Sequence, residues 1–235
     1  MKGGMVLEGK RALVTGGALR IGKAITQALQ AAGVVVVVHY RNSQAQAEAL
    51  SPFTVQADLQ SMEECSRLIG RTGPLDILIN NASIFTKDSL ADATPERVRC
   101  EFQLNLFAPM ELTRAFATQT GKGAVINLLD RRIACNDTSC VPYSITKKGL
   151  EELTKLAALE YAPNIRVNAV APGPVLPPPG STTKSARELA GNIPLDKLPT
   201  LGNIAEAVLF LLQTESITGQ TLFVDGGQHL LGNGV

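Results

Sequence analysis

Five consecutive valines occupy positions 34–38. A β-branched run favours extended backbone, and because no polar residue alternates through it, neither face of such a strand can meet water. A strand buried on both faces belongs to a parallel sheet covered by helices on each side. This one run therefore demands further strand and helix repeats around it, since parallel neighbours are joined by crossovers rather than tight turns.

The remaining chain supplies them. Together with a strand over 34–39, apolar segments at 11–15, 53–57, 75–79, 123–129, 165–171 and 220–224 predict seven strands. A Gly-rich turn after Thr15 opens an Ala-rich helix ending at Ala32. Thr94 and Pro95 give a cap and a first-turn proline to a helix expected to run past Asn105 to about 117. Ile145, Leu150, Leu153 and Leu156 recur at helical intervals over 144–161, and Asn203 is expected to cap a last helix ending at Gln213. The expected fold class is α/β, a Rossmann-type doubly wound, seven-stranded parallel sheet in a single domain over 1–235. The stretch 172–200, through Pro177, Pro178, Pro179 and Gly180, is too long for a simple connection and is expected to be a substrate lid.

Composition removes several classes of function. The 22 basic and 21 acidic residues are intermixed, so no basic patch points to nucleic acid. Residues 1–10 lack an apolar signal core and no run approaches the roughly 18 apolar residues of a membrane helix, which suggests a cytoplasmic protein. Cys65, Cys100, Cys135 and Cys140 form no CxxC or Cys/His cluster, and with two histidines no metal site is expected. The glycosylation pattern at 136–138 reads as chance without a secretion signal.

The strand at 11–15, the turn from Gly16 to Gly22 and the helix that follows form an anion site, because the first amides of a helix have no internal partner. Gly16 and Gly22 would supply the turn and the close helix packing. After the valine strand, where an acid would hold the ribose hydroxyl of NAD, stand His39, Tyr40, Arg41, Asn42 and Ser43; Arg41 and Ser43 suit the 2′-phosphate of NADP instead. Asp58, at the carboxyl end of the third strand, lies where an adenine would sit. A solvated loop cation is the plain alternative for Arg41.

Tyr143 and Lys147 are one helical turn apart, so both face the same way. A neighbouring ammonium favours the phenolate and tunes an otherwise weak acid for proton transfer. Asp130, at the carboxyl end of the fifth strand, is expected at the same edge, although it could instead be a structural carboxylate paired to Arg131 or Arg132. Asn105, an amide inside an apolar helix, is expensive to bury unbonded and is expected to have a partner in the site.

Six motifs in order, T-G-x-x-x-x-I-G at 15–22, N-N-A at 80–82, Asn105, Y-x-x-x-K at 143–147, P-G at 172–173 and I-T-G-Q-x-x-x-V-D-G-G at 217–227, resemble the short-chain dehydrogenase/reductase family over essentially the whole chain. The resemblance implies that Tyr143 is the proton donor, that Lys147 holds the nicotinamide ribose and lowers the phenol's pKa, and that Asn105 anchors a water in the proton relay. It further implies cofactor contacts at Gly16, Arg20, Ile21, Gly22, Asp58, Leu59, Asn81, Ala82, Ser83, Pro172, Gly173 and Val175. Arg20 replaces the usual middle glycine and Asp130 the usual catalytic Ser. Both exchanges are shared with the pteridine reductase branch, which the chain also resembles at 39–43 and 81–85. That branch implies that Arg20, Ser83 and Phe85 contact cofactor and pterin, with Phe85 stacking the pterin. A carboxyl group can share a proton with a basic ring nitrogen, which favours reduction of a C=N bond over a ketone. The expectation is an NADPH-dependent pterin reductase acting on a small molecule, as a homotetramer by the family's habit. The alternatives are a ketone reductase of the 3-oxoacyl-carrier-protein type and a non-catalytic NADPH-binding regulator.

Overall fold

The computed structural model describes residues 5–176 and 190–232. Among these, strands β1 (Arg11–Val14), β2 (Val35–Tyr40), β3 (Thr54–Gln56), β4 (Ile77–Asn80), β5 (Gly123–Leu128), β6 (Ile165–Pro172) and β7 (Thr221–Val224) form one sheet. All pairings are parallel, in the order β3-β2-β1-β4-β5-β6-β7. The valine run explains why the sheet must be covered twice: Val36 and Val38 enter one core layer and Val37 the other, as the two-residue strand period requires. Helices α1 (Arg20–Ala31) and α7 (Leu201–Gln213) cover the first layer with Ile25, Leu29, Ile204 and Val208. The second is covered by α3 (Met62–Leu68), α5 (Ala108–Thr120) and α6 (Val141–Glu160) with Leu68, Leu112, Phe116 and Ala157. A short α2 (Gln44–Leu50) and α4 (Pro95–Phe102) complete the helices that matter here.

Chain order runs outward from β1 to β3, then returns to the other side of β1 as β4. The crossovers therefore diverge between Val14 and its register partner Ile79, and a crevice opens at the carboxyl ends of these strands.

Three expectations are corrected. The helix from Pro95 is not continuous: α4 gives way to a π turn at Gln103–Phe107 before α5. Pro109 has no N–H to donate to the carbonyl four residues back, that of Asn105, and its ring would collide with it; a wider turn relieves the clash. The cap of α7 is Thr200, whose hydroxyl accepts from Asn203 N at 3.2 Å while the Asn203 carboxamide accepts from Thr200 N at 3.1 Å, so Asn203 is the second half of a capping box. On α6, Leu150 is buried but Ile145 and Leu156 are exposed, because the buried face also takes Tyr143, Lys147 and Thr154. The expected lid at Pro177–Pro179 and Gly180 lies outside the described residues.

Candidate active site

The crevice at the strand ends holds two clefts. The first, about 400 Å³, is lined by Gly16, Arg20, Ile21, Gly22, His39, Arg41, Asp58, Leu59, Asn81, Ala82 and Ser83. Leu19, Ala57, Ile84 and Leu104 line it too and carry no sequence signal beyond being apolar. Tyr40, Asn42 and Ser43 are not part of this lining. Tyr40 instead packs against the core, and Ser43 precedes α2 without a side-chain cap bond.

The floor of this cleft is tied together by two side chains, Thr15 and Asn81, bonded to backbone groups. Thr15 Oγ1 donates to Ile79 O at 3.2 Å and accepts from the N–H groups of Asn81 and Ala82 at 2.9 and 3.0 Å. The Asn81 carboxamide donates to Thr15 O at 2.8 Å and Gly16 O at 3.2 Å. At Gly22 a Cβ would stand 2.2 Å from Gly16 O, so only glycine brings α1 this close to the turn. Arg20, in the place of the usual glycine, holds a left-handed φ of 52°, a conformation that costs a non-Gly residue on the order of 1 kcal/mol. Gly16 N–H donates to His39 Nδ1 at 3.0 Å and His39 Nε2 lies 3.1 Å from Ala57 O. The first bond needs an acceptor and the second a donor, which defines the neutral Nε2–H tautomer. Burial brings the His39 pKa down to about 4, against a smaller opposing pull from the Ala57 carbonyl.

The second cleft, about 550 Å³, is lined by Arg20, Ile21, Ser83, Phe85, Asp130, Arg131, Arg132, Tyr143, Gly173, Val175 and their neighbours. It shares Arg20, Ile21 and Ser83 with the first, so the two are continuous. At Gly173, just past β6, a Cβ would sit 2.8 Å from Asp225 Cα, so glycine lets the end of β7 pack this close. Tyr143 Oη donates to Asp130 Oδ2 at 3.2 Å. Asp130 also caps the 3₁₀ turn Arg131–Ala134, accepting from Arg132 N at 2.9 Å, and pairs with the Arg132 guanidinium at 3.2 Å. The two roles weighed for this carboxylate from sequence are thus held together: it is tied to an arginine and it faces the phenol. Arg132 is fixed from the far side by Asp137 at 3.0 Å, and its guanidinium stands 5.3 Å from the centre of the Phe85 ring. Phe85, half exposed, meets Tyr143 edge-on, 4.8 Å between centroids.

The balance on the phenol differs from the sequence expectation. Burial, and then the negative charge of Asp130, push the Tyr143 pKa well above the usual value. Lys147 lies with its Nζ 5.7 Å from the Tyr143 ring centre and donates to Leu128 O at 2.8 Å. Burial brings its pKa down to about 8, with Asp130 and Glu101 pulling the other way. Asn105 is fully buried and its carboxamide is spent on protein partners: Ser83 Oγ and Ile84 N donate to Oδ1, and Nδ2 donates to Ile84 O and Thr146 Oγ1. Its expected partner in the site is therefore the loop that carries Phe85.

The family model described as "Enoyl-(Acyl carrier protein) reductase" matches residues 17–229. The chain is 35% identical to the L-xylulose reductase of Bos taurus over 94% of this chain and 97% of that one. Among solved structures it is similar to FolM alternative dihydrofolate reductase 1 from Brucella canis complexed with NADP, with TM-score 0.91 and 32% identity over 96% of each chain. It is also similar to a short chain dehydrogenase from Burkholderia cenocepacia in complex with NADP, with TM-score 0.87 and 29% identity over 94% of this chain and 98% of that one. The chain belongs to the short-chain dehydrogenase/reductase family. It is an oxidoreductase of that family, with Tyr143 and Lys147 on the first turns of α6 and Asn105 in the π turn before α5. Among the described residues no group of His, Cys, Asp and Glu could hold a metal, the four cysteines are unpaired, and no helix is long and apolar enough to cross a membrane.

Proposed function

We propose that this short-chain reductase uses NADPH to reduce a C=N bond of a pterin of the dihydropteridine or dihydrofolate type. The residues of the first cleft fit a dinucleotide. Leu19 offers α1 no side-chain cap and its first turn holds no acid, so a diphosphate can approach the helix amides. Arg41, half exposed and 3.8 Å from Asp58 in the first cleft, is the cation for a 2′-phosphate. The FolM relative was solved with NADP. A reduced nicotinamide, when bound, supplies the hydride.

The protein's part is proton supply and position. The observation that carries the pterin reading is Asp130 at 3.2 Å from Tyr143 Oη, beneath the edge of Phe85. Tyr143 carries its proton at neutral pH, as a donor in the reductive direction must, although burial and Asp130 make it a weaker acid than a free phenol. A carboxylate anchored by Arg132 can accept the N–H of a heterocycle and hold its ring nitrogen against that acid, while Phe85 presents an aromatic surface for a flat ring. Lys147 holds a ribose hydroxyl and positions the cofactor's reactive end. A second reading, ketone reduction, is favoured by the relative named for a ketose.

NADPH oxidation against dihydropterins, dihydrofolate, an acetoacetyl thioester and L-xylulose separates these readings from each other and from a non-catalytic regulator, which would oxidise none. Asp130→Ser is expected to lower pterin turnover roughly 10²-fold; unchanged or improved pterin turnover counts against the assignment. We further propose association into a homotetramer, supported by the exposed Phe107 at the end of the π turn, Met110 in the first turn of α5, and Leu156 and Leu159 on α6, and checked by light scattering.

A further inference from the structure

Residues 81–89, which carry Phe85, contain neither helix nor strand, so something other than a backbone ladder must hold them. Arg97, Glu101 and Asn105 recur at four-residue intervals along α4 and the π turn, which puts them in one row on the helix. Each is bonded to this segment, and in reverse order. Asn105 takes Ser83 and Ile84, Glu101 takes Thr86, and Arg97 pairs with Asp88 at 2.9 Å. Phe85 therefore hangs between two adjacent clamps.

Glu101 is the unusual member of the row. It is fully buried, and Oε1 accepts both the N–H and the hydroxyl of Thr86 at 2.7 Å. Oε2 is buried without a partner among the described residues. A carboxylate taken out of water on these terms is costly. Burial raises its pKa, which the two Thr86 bonds and Lys147 oppose and the carboxylate of Asp88 reinforces. Among the described residues it makes no hydrogen bond to Tyr143 or Lys147, and its charge reaches Lys147 only through space. Its two short charge-assisted bonds end on the residue next to Phe85.

We propose that Glu101 is a positioning residue for the acceptor, a buried carboxylate that fixes the ring of Phe85 over Tyr143 by clamping Thr86. The proposal rests on reading the Phe85 cleft as the acceptor site. The clamp itself can be tested without an acceptor, because the chain contains no tryptophan and Phe85→Trp therefore installs a single indole that can be excited selectively over the three tyrosines. In that background Glu101→Ala removes two charge-assisted bonds, and the population of the released segment is expected to rise at least about tenfold, read as greater acrylamide quenching and lower anisotropy. Glu101→Gln, which keeps an acceptor but loses the charge, and Thr86→Val, which removes one donor, are expected to give smaller rises; they decide the matter should the alanine variant not fold. Unchanged quenching and anisotropy in the folded variants overturn the proposal.

With any acceptor the wild-type protein reduces, Thr86→Val, which loosens the clamp but keeps the Glu101 charge that acts on Lys147, is expected to raise the acceptor KM several-fold while leaving kcat and the NADPH KM nearly unchanged. A fall in kcat alone, with KM unmoved, also overturns it. Should the wild-type protein reduce no acceptor, the proposed function fails, and the fluorescence arm still decides the fate of the clamp.

Discussion

The two clefts that meet at Arg20, Ile21 and Ser83 are built from different material. The first is mostly backbone: carbonyls of Thr15 and Gly16, amides of Asn81 and Ala82, a helix start and a glycine whose missing Cβ is the working feature. The second is made of side chains: Asp130 holds Arg132 and Tyr143, Phe85 meets both of these, and Lys147 stands by the phenol ring. A backbone site is satisfied by many side chains and ruined by a few added atoms, whereas a side-chain site changes its chemistry with every exchange. The proteins similar to this chain include ones named for L-xylulose and for dihydrofolate, as expected where one fold serves several substrates.

The contrast can be broken at four points. The largest effect is expected from Tyr143→Phe, which removes the acid and leaves the first cleft intact. Turnover should fall roughly 10²- to 10⁴-fold with NADPH affinity unchanged, and a parallel loss of NADPH binding, read by its fluorescence, would show that the clefts are not separable in this way.

Next in size is an acid sensitivity lodged in the backbone site. His39 is 3% exposed and its pKa falls from 6.5 to about 4 on folding. The unfolded chain therefore binds a proton that the folded one refuses, so there is no penalty above pH 6.5, and stability is lost as pH falls from 6.5 towards 4. The loss amounts to about 3 kcal/mol below pH 4. Protonation would also put a donor where Gly16 N–H needs an acceptor. Denaturant titrations across this window should show the slope in the wild-type protein and a flatter one in His39→Asn. A slope that survives in the variant would assign the sensitivity to the carboxylates instead.

Gly22→Ala drives a methyl group into Gly16 O and the Asn81 carboxamide. Overpacking of this kind costs about 1–3 kcal/mol, so the NADPH dissociation constant should rise roughly 5- to 150-fold, while in reactions saturated with NADPH the acceptor KM stays where it was. The smallest effect is expected at Arg41, whose side chain is 51% exposed. Arg41→Ala should reduce the preference for NADPH over NADH by less than about tenfold, measured as the ratio of kcat/KM for the two cofactors.

The sheet and its crevice were legible because their determinants are local. A run of valines at 34–38, a glycine turn after a strand and a proline after a threonine each constrain the backbone within a few residues. Helix interruptions were less so. For the π turn at Gln103–Phe107 the local signal is Pro109, four residues after Asn105, which marks that a carbonyl is left without its donor but not how the helix widens to accommodate it. The apolar spacing on α6 misled for a related reason: a helix that buries a phenol, an ammonium and a threonine leaves some of its leucines outside.

By itself the sequence determined a parallel sheet, a dinucleotide turn and the pairing of Tyr143 with Lys147 one turn apart, since strand period, glycine stereochemistry and helical spacing act between neighbours along the chain. Tertiary structure decided what no spacing could state. It made His39 a neutral bond acceptor beneath Gly16 rather than a ligand at the rim. It gave Asp130 to Arg132 and Tyr143 at once. It also turned the row of Arg97, Glu101 and Asn105 towards the Phe85 segment. Those outcomes depend on which polar groups lose their water together, and burial is settled only when distant segments close over them.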